Sequence, residues 1–332
     1  MDSLTHILTG AAIGQMFSEK NDKSRRPLVW GAIAGSIPDL DAIVQPFISQ
    51  ENSMLFHRGI SHSLLLWALC SPLLALLLNK IGKGDKRSYF KWLKISVTAW
   101  LSHIVLDLFN TYGTGIFEPF SHARISYDAV NVIDLFYLIP ILTMSVFCVF
   151  YLKNYVKKVL LASAVVTFSA IYIAVSVFIK ISMENTAEMQ CAKQNIRTAR
   201  IISSPLPISN LAWKIVAETD DGHYVGTYYG FWKNYTPFRY IPKNMQLENE
   251  LNAYDNFRKL KQFTKNCYAL EQKDGQIFMT DLRFTSLEPQ TSALCFPLLI
   301  RENSLEIKRT MLNRRISFDN IKELCERLKA EN

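Results

Sequence analysis

Long apolar runs are missing from the second half of this 332-residue chain, and their absence divides the sequence in two. Every run that approaches the length of a membrane span lies before residue 184. The chain also lacks internal repeats, low-complexity tracts and the CxxC spacing of a cysteine zinc site. We therefore expect a membrane domain at 1–183 and a soluble domain at 184–332.

Five apolar runs in the first part are mostly near the roughly 20 residues that cross a bilayer as a helix. They are 28–48, 60–78, 95–109, 130–152 and 159–179. A shorter run, 4–17, lacks the basic segment and the cleavage site of a signal peptide, so we expect a re-entrant or partly inserted helix. The predicted fold is an α-helical multi-pass membrane domain of about five spans plus this short helix, followed by a small soluble α+β domain.

The basic residues predict orientation in the membrane and not nucleic-acid binding, although the formal net charge is +8. They are concentrated in the loops 20–26, 80–94 and 153–158, whereas the alternate loops hold one each, Arg58 and Arg124. Positively charged loops stay in the cytoplasm. The C-terminal domain is therefore predicted to lie outside the cytoplasm.

The C-terminal part alternates strand and turn signals. Asp-Gly turns at 221–222 and 274–275 separate apolar-rich runs and predict two hairpins, and 247–263 and 319–328 have the periodicity of amphipathic helices. An even number of cysteines in an oxidising compartment permits disulfides, with buried free thiols as the alternative. These cysteines are Cys191, Cys267, Cys295 and Cys325.

Ionisable residues within or beside the apolar runs are the main functional signal. His103 and Asp107 are four residues apart, so both project from one face of a helix and could chelate one ion. A hydrogen-bonded pair that ties two helices together is the alternative. Asn110 lies one turn further along and could orient a ligand or cap the helix.

A second group follows Pro38, which interrupts a helix and frees backbone groups that lipid cannot satisfy. In the opened backbone, Asp39 and Asp41 could both turn inward towards one or two cations. Alternatively, Asp39 caps the following turn and Asp41 lies at the interface.

A third group surrounds a glycine where a loop becomes a predicted span. The imidazoles of His57 and His62 are suitable ligands for zinc, iron or manganese. Arg58 has a planar fork that binds two oxygens of phosphate or carboxylate, or it meets lipid headgroups as an interfacial arginine. Ser61 is a candidate cap for the next helix.

His6 gains significance from its neighbours. The patterns Gly10-x3-Gly14 and Gly31-x3-Gly35 allow two membrane helices to approach closely, which would bring the first segment beside the one carrying Asp39. The remaining histidines, His122 and His223, have no patterned neighbours and are interpreted as surface or loop residues.

Four ordered motifs together resemble a bacterial family, the LexA-regulated, membrane-bound metal-dependent hydrolases. They are the N-terminal MDSLTH with Gly10, the Pro38-Asp39-Leu40-Asp41 step, His57-Arg58-Gly59 through His62, and His103 through Asp107. The likeness covers roughly the first 180 residues. It implies an inner-membrane protein with a metal-dependent hydrolase site, and it implies these candidate ligands: His6, Asp39, Asp41, His57, His62, His103 and Asp107.

The predicted function is hydrolysis by a metal-activated water at the outer leaflet, because the predicted topology places all seven candidate ligands near one membrane face. We expect one or two divalent ions, zinc first, with Mn²⁺ and Fe²⁺ also suitable. Asp41 is the candidate base and Arg58 the candidate substrate contact; the expected partners are membrane lipids and a small-molecule or lipid substrate. A transporter or ion-conducting protein is one alternative, and a non-catalytic metal-stabilised scaffold is another.

Overall fold

A computed structural model describes residues 1–20, 25–82, 84, 86–207, 210–229, 234–284, 294–301 and 304–308. The chain forms two compact units. The first contains Met1–Phe47, Phe56–Tyr127 and Val132–Val175, and the second contains Ile48–Leu55, Asp128–Asn131 and the described residues of Ser176–Asn332. The division falls inside one long helix, and the predicted domain limit after residue 183 lies within that same helix.

The N-terminal region is helical, as predicted. Its α-helices are α1 Ser3–Met16, α2 Arg26–Ser36, α3 Gln50–Phe56, α4 Leu64–Ile81, α5 Lys86–Leu108, α6 Leu135–Phe150 and α7 Tyr155–Lys193. Short 3-10 helices occupy Pro38–Ile43, Gln45–Phe47 and Ile60–His62. In the first unit, α1 packs along α2, and α5 packs against α1, α2 and α4.

Glycines allow α1 and α2 to come together with their backbones in contact. A Cβ atom added to Gly31 would lie 2.8 Å from the Cα of Gly14, and one added to Gly35 would lie 2.8 Å from the carbonyl oxygen of His6. Both distances are too short for any real side chain, so only glycine fits. The close approach predicted from the two GxxxG patterns is confirmed.

The prediction of about five spans is wrong. Among the described residues, α4 and α7 are long and apolar enough to cross a membrane, and α2 together with 38–47 makes a third candidate if that bent pair counts as one span. Helix α4 exposes leucines along its length, including Leu69 and Leu73, which are 58% and 60% exposed. Such a surface is typical of contact with lipid.

Two predicted spans fail and a third is bent, each for a different physical reason. Pro38 has no N–H to continue the ladder of α2, and the chain bends by 53° there, so 28–48 is not one straight helix. Helix α5 carries basic residues through its first half, which leaves the apolar run 95–109 too short. Helix α6 has 16 residues, or about 24 Å, against a hydrocarbon thickness of roughly 30 Å.

The second unit contains two antiparallel sheets. The first comprises β1 Arg200–Pro205, β2 Ala212–Glu218, β3 Gly222–Tyr229, β4 Asn234–Tyr235 and β5 Arg239–Pro242, in the order β1-β2-β3-β4 with β5 also paired to β3. The second is a meander of β6 Tyr268–Lys273, β7 Gln276–Asp281, β8 Cys295–Arg301 and β9 Ser304–Ile307. Strand pairs β2–β3 and β6–β7 are the two predicted hairpins.

The helices and cysteines of this unit differ in part from expectation. The predicted helix 247–263 is two helices, α8 Met245–Leu251 and α9 Asp255–Phe263. Of the cysteines that the structure describes, Cys191, Cys267 and Cys295 are buried free thiols. Cys325 and the predicted helix 319–328 lie outside the described residues. The core joins the end of α7 to the first sheet through Ala187 and Trp213.

Candidate metal centre

Four side chains of the first unit converge on one point. One ligand atom from each of Asp39, His62, His103 and Asp107 lies within 4.8 Å of all the others. Asp39 comes from the 3-10 helix after α2, His62 from the 3-10 helix before α4, and the last two from α5. His62, His103 and Asp107 are at most 1% exposed, and Asp39 forms the accessible side of the group, with 15% of its side chain exposed.

His103 and Asp107 are presented by one face of α5, as their spacing predicted. The Nδ1 of His103 lies 2.6 Å from the carbonyl oxygen of Gly35. Since a carbonyl only accepts, His103 carries its proton on Nδ1 and directs the Nε2 lone pair towards the cluster.

His62 is held in the same tautomer by its neighbour. The hydroxyl of Ser61 donates to the Oδ2 of Asp41 at 2.6 Å, and Ser61 Oγ lies 2.9 Å from His62 Nδ1. A hydroxyl has one proton, so Ser61 Oγ accepts from His62 Nδ1–H, and Nε2 of His62 is left with its lone pair. Ser61 does not cap the next helix, because Ser63 accepts from Leu66 N at the start of α4.

Asp107 has one oxygen held by neighbours and one turned to the cluster. Its Oδ1 accepts from the amino group of Met1 and from Asn110 Nδ2 at 3.1 Å, and it lies 3.2 Å from His6 Nε2. Its Oδ2 has no hydrogen bond among the described residues. Burial of such an oxygen is costly unless a cation is near it, and the guanidinium of Arg58 is one such cation, with its Nε 3.0 Å away.

The separations within the cluster fit a metal ion. The two Nε2 atoms are 3.0 Å apart, Asp107 Oδ2 is 3.3 and 3.6 Å from those of His62 and His103, and Asp39 Oδ1 is 3.7 and 3.6 Å from them. Bonds of about 2.0–2.1 Å to a tetrahedral ion give edges of about 3.3 Å. Two imidazole lone pairs that face each other at 3.0 Å repel unless positive charge lies between them. The cluster could therefore hold a divalent metal ion.

Three predicted ligands lie beside this cluster and not in it. His6 stacks on His103, with ring centroids 3.6 Å apart, and its Nε2 contacts Asp107. Asp41 accepts from His57 Nδ1 at 2.8 Å with Oδ1, while its Oδ2 accepts from Ser61 and from the backbone N–H of Arg58. The ring of His57 is edge-on to that of His62, with centroids 6.1 Å apart.

Arg58 is directed inward, towards the protein. It is 3% exposed, and its Nε lies 3.0 Å from Asp107 Oδ2. One terminal nitrogen donates to Asn110 Oδ1, and the other to the carbonyl oxygen of Met1 at 3.3 Å. The backbone of Arg58 has φ +59°, in the left-handed region that non-glycine residues seldom adopt. Both terminal nitrogens of the guanidinium are therefore hydrogen-bonded to the protein, and its Nε forms an ion pair with Asp107.

Some contributors carried no sequence signal. The carbonyl of Gly35 and the amino group of Met1 belong to the backbone, so no residue type marks them. Ser3 Oγ, which donates to Asp39 Oδ2 at 2.9 Å, lies in the N-terminal motif but has no spacing relation to Asp39. His122 is exposed next to Glu118, as expected, whereas His223 is 1% exposed and lies in β3, so its surface assignment was wrong.

Fold and site together define a class: a protein with apolar helices long enough to cross a membrane and a buried His–Asp cluster that could hold a divalent ion. The chain belongs to the YdjM inner membrane protein family, which matches residues 1–182. It is also 28% identical over 151 residues to "Uncharacterized protein YfhP" of Bacillus subtilis (strain 168). That similarity covers 42% of this chain and 43% of the relative, so the chain spans less than half of the relative's length. No solved structure matches this chain.

The family match confirms the inner-membrane part of the resemblance that the four motifs indicated. Neither name states a reaction, a substrate or a metal, so the hydrolase part stays a prediction.

Proposed function

We propose that this protein is a membrane-embedded, metal-dependent hydrolase that acts on an amphiphilic substrate, a lipid or a phosphoester, at the outer leaflet. The observation that carries the proposal is the arrangement of donors: His62 and His103 are each fixed in the tautomer that ligates through Nε2. Ligating histidines usually hold the proton on the other nitrogen in this way. A pair that only tied helices together would direct a donor, and not a second lone pair, at its partner.

Zinc is the proposed ion, because two imidazoles and two carboxylates in tetrahedral separation match its preferences, with Mn²⁺ and Fe²⁺ as alternatives. Asp39, His62, His103 and Asp107 would hold it. When bound, such an ion lowers the pKa of water to about 7 and polarises a carbonyl or phosphoryl oxygen. Among the described residues there is one group of this kind, so one ion is proposed.

Proton transfer is assigned to His57, in place of Asp41. Both oxygens of Asp41 are occupied by hydrogen bonds, so its carboxylate orients the His57 ring through Nδ1. His57 is left with Nε2 to accept or release a proton, and 20% of its side chain is exposed. The same logic of carboxylate, imidazole and reacting group operates in many hydrolases.

Arg58 is proposed as a positioning residue for Asp107. Its guanidinium neutralises the carboxylate and holds Asn110, which donates to the other oxygen of Asp107. The substrate contact predicted for Arg58 would require these contacts to be exchanged.

The substrate class follows from the surroundings. Exposed leucines along α4 and exposed apolar residues within the 38–47 segment, including Ile43 and Phe47 at 66% and 83% exposed, favour lipid next to the site. We also propose that the chain crosses the membrane more than once with its second unit outside the cytoplasm, supported by the basic loops.

The test is metal content and turnover of the full chain purified in detergent. We expect about one equivalent of zinc by mass spectrometry, hydrolysis of phospholipid or p-nitrophenyl esters that is lost with a chelator, and recovery on adding zinc. His103→Ala should lose both metal and activity, whereas His122→Ala, an exposed control, should keep both. Absence of stoichiometric transition metal, or full activity of His103→Ala, would refute the proposal.

A metal-stabilised scaffold without catalysis is a second candidate, favoured by one observation. Four protein donors in tetrahedral separation resemble closed structural sites, whereas catalytic zinc sites keep one position open. In that case the same experiment would give bound metal, a lower melting temperature in His103→Ala, and no turnover of any ester.

A further inference from the structure

His223 is a buried histidine of the second unit. It lies on β3 directly across from Glu218 of β2, and it is 1% exposed. Neither ring nitrogen has a hydrogen-bond partner among the described residues. Buried polar groups nearly always have one, so an unpaired imidazole calls for a ligand or water as its partner.

A cavity of about 330 Å³ lies next to this imidazole. The end of the β2–β3 hairpin, the residues leading into α8, helix α9 and strand β6 contribute its walls. The polar side chains that matter here are those of Glu218, His223, Lys243, Glu248, Lys261 and Tyr268. Ligand pockets have volumes of about 300–1,000 Å³, so this cavity would take a molecule at the small end of that range.

Four of the five charged side chains around the cavity are paired, and the fifth, Asp220, is exposed. Glu218 pairs with Arg200 at 2.9 Å and with Lys243 at 3.4 Å, and Glu248 pairs with Lys261 at 2.7 Å. An anion would have to displace one of these pairs before it could be bound. A cation would have to do the same or bind at the exposed Asp220.

The paired side chains of the cavity can still form further hydrogen bonds. Lys243 uses two of its three N–H groups, on Thr219 O and Glu218, and Lys261 uses two, on Glu248 and Asn252. Among the described residues, each ammonium group therefore has one N–H without a hydrogen-bond acceptor. Carboxylate oxygens accept more than one hydrogen bond, so the glutamates have spare acceptor sites as well.

His223 adds one donor and one acceptor. Burial lowers the pKa of His223 to about 4, so at neutral pH the ring is uncharged, with one N–H and one lone pair. The lining therefore offers both donors and acceptors, from side chains whose charges are paired except at Asp220. Hydroxyl groups match this arrangement, because each can donate to a carboxylate or imidazole and accept from a lysine.

We propose that this cavity binds an uncharged, hydroxyl-rich molecule of monosaccharide size, with His223, Lys243 and Lys261 as its hydrogen-bonding contacts. The site is separate from the metal centre and does not rest on the proposed hydrolase activity.

The experiment is ligand-detected NMR on the full chain, in a detergent without a sugar headgroup such as lauryldimethylamine oxide. The probes are glucose, N-acetylglucosamine, galactose and glycerol, with inorganic phosphate, ethanolamine and phosphoethanolamine as charged comparisons. We expect at least one sugar to bind and the charged probes not to bind. Binding only of a charged probe, or of none of the seven, would overturn the proposal.

Variants place the binding in this cavity. His223→Leu and Lys243→Met should each weaken sugar binding at least tenfold, whereas Lys273→Met, a lysine that is 70% exposed on β6 and outside the cavity, should bind as the wild type does. Thermal melts of each variant show whether the fold is retained. Undiminished binding to a folded Lys243→Met or His223→Leu protein would also overturn the proposal.

Discussion

At the scale of single residues, the candidate metal centre depends on hydrogen bonds made away from the cluster. Gly35 O and Ser61 Oγ each take the Nδ1 proton of a histidine, and so two Nε2 lone pairs meet at 3.0 Å. Among the residues that the structure describes, Asp107 accepts its hydrogen bonds through Oδ1, and Oδ2 has none but is paired with Arg58. The orienting residues are thus as much a part of the site as the ligand atoms.

The serine beside His62 gives a prediction about this orientation. Ser61→Ala removes the acceptor for His62 Nδ1–H but no ligand atom, so zinc affinity should fall about 10- to 100-fold, as for other changes to such partners. Competition with a fluorescent chelator measures it. Ser121→Ala, in an exposed loop, is the control. An unchanged affinity would show that the tautomer of His62 is fixed in another way.

A substitution at His57 distinguishes between its two possible roles, metal ligand and proton-transfer residue. His57→Asn should retain the metal and lose about 10²- to 10⁴-fold of any turnover, the usual contribution of general acid–base catalysis. Metal content and kcat are measured on the same preparation, with His122→Asn as the control. Loss of metal together with activity would instead make His57 a ligand, as the sequence first suggested.

The sequence predicted that histidines and aspartates would form a cluster, but it did not predict which four of the seven candidates would do so. His103 and Asp107 followed from helical spacing, because four residues make about one turn. Asp39 and Asp41 were expected to turn to the same ions, yet a 3-10 helix places residues two apart on different sides. That geometry follows from the path after Pro38, which no residue pattern specifies.

At the scale of elements, the contact between α1 and α2 brings His6 beside the cluster. The glycines of both helices let the backbones touch, so the N-terminal turn of α1 reaches α5, where His6 meets Asp107. The motif predicted this contact well, since it depends only on the absence of side chains. The number of membrane spans was predicted poorly, because hydropathy does not reveal that a helix is broken at Pro38 or that α6 is too short to span.

Alanine substitutions test this packing, because the sign of the change in stability depends on how close the two helices are. Gly→Ala inside a helix normally stabilises by about 0.5–1 kcal/mol. At Gly31 the new methyl group would lie 2.8 Å from Gly14 Cα, so Gly31→Ala should instead destabilise by about 1–3 kcal/mol and reduce metal retention. Thermal melts and metal analysis measure both.

Gly82→Ala serves as the control, since its Cβ would meet the carbonyl oxygen of Leu78 at 3.3 Å, at the edge of tolerance. A Gly31→Ala protein at least as stable as the wild type would contradict the close approach of the helices.

At the scale of the whole molecule, acidity should act on the second unit through His223. Its folded pKa of about 4 lies below the ordinary value of 6.5, so between these pH values the unfolded chain binds a proton that the folded chain does not. Stability is then lost as pH falls from about 6.5 to 4, by up to roughly 3 kcal/mol.

His223→Leu should flatten that part of the stability curve, because leucine does not titrate. Urea unfolding at several pH values, followed by tryptophan fluorescence, measures the difference from the wild type. The neighbouring charges Glu218, Lys243 and Arg200 are the same in both proteins, so their own titration cancels in the comparison. Parallel curves would contradict burial of a neutral imidazole.

The four converging donors come from three separate segments, so an ion bound there would hold α5 to the turn after α2 and to the turn before α4. Ligands that bind only the folded state raise its stability with their concentration. The cell's supply of divalent ions would then govern how long each copy survives proteolysis, and metal starvation would deplete this protein from the membrane without any change in its synthesis.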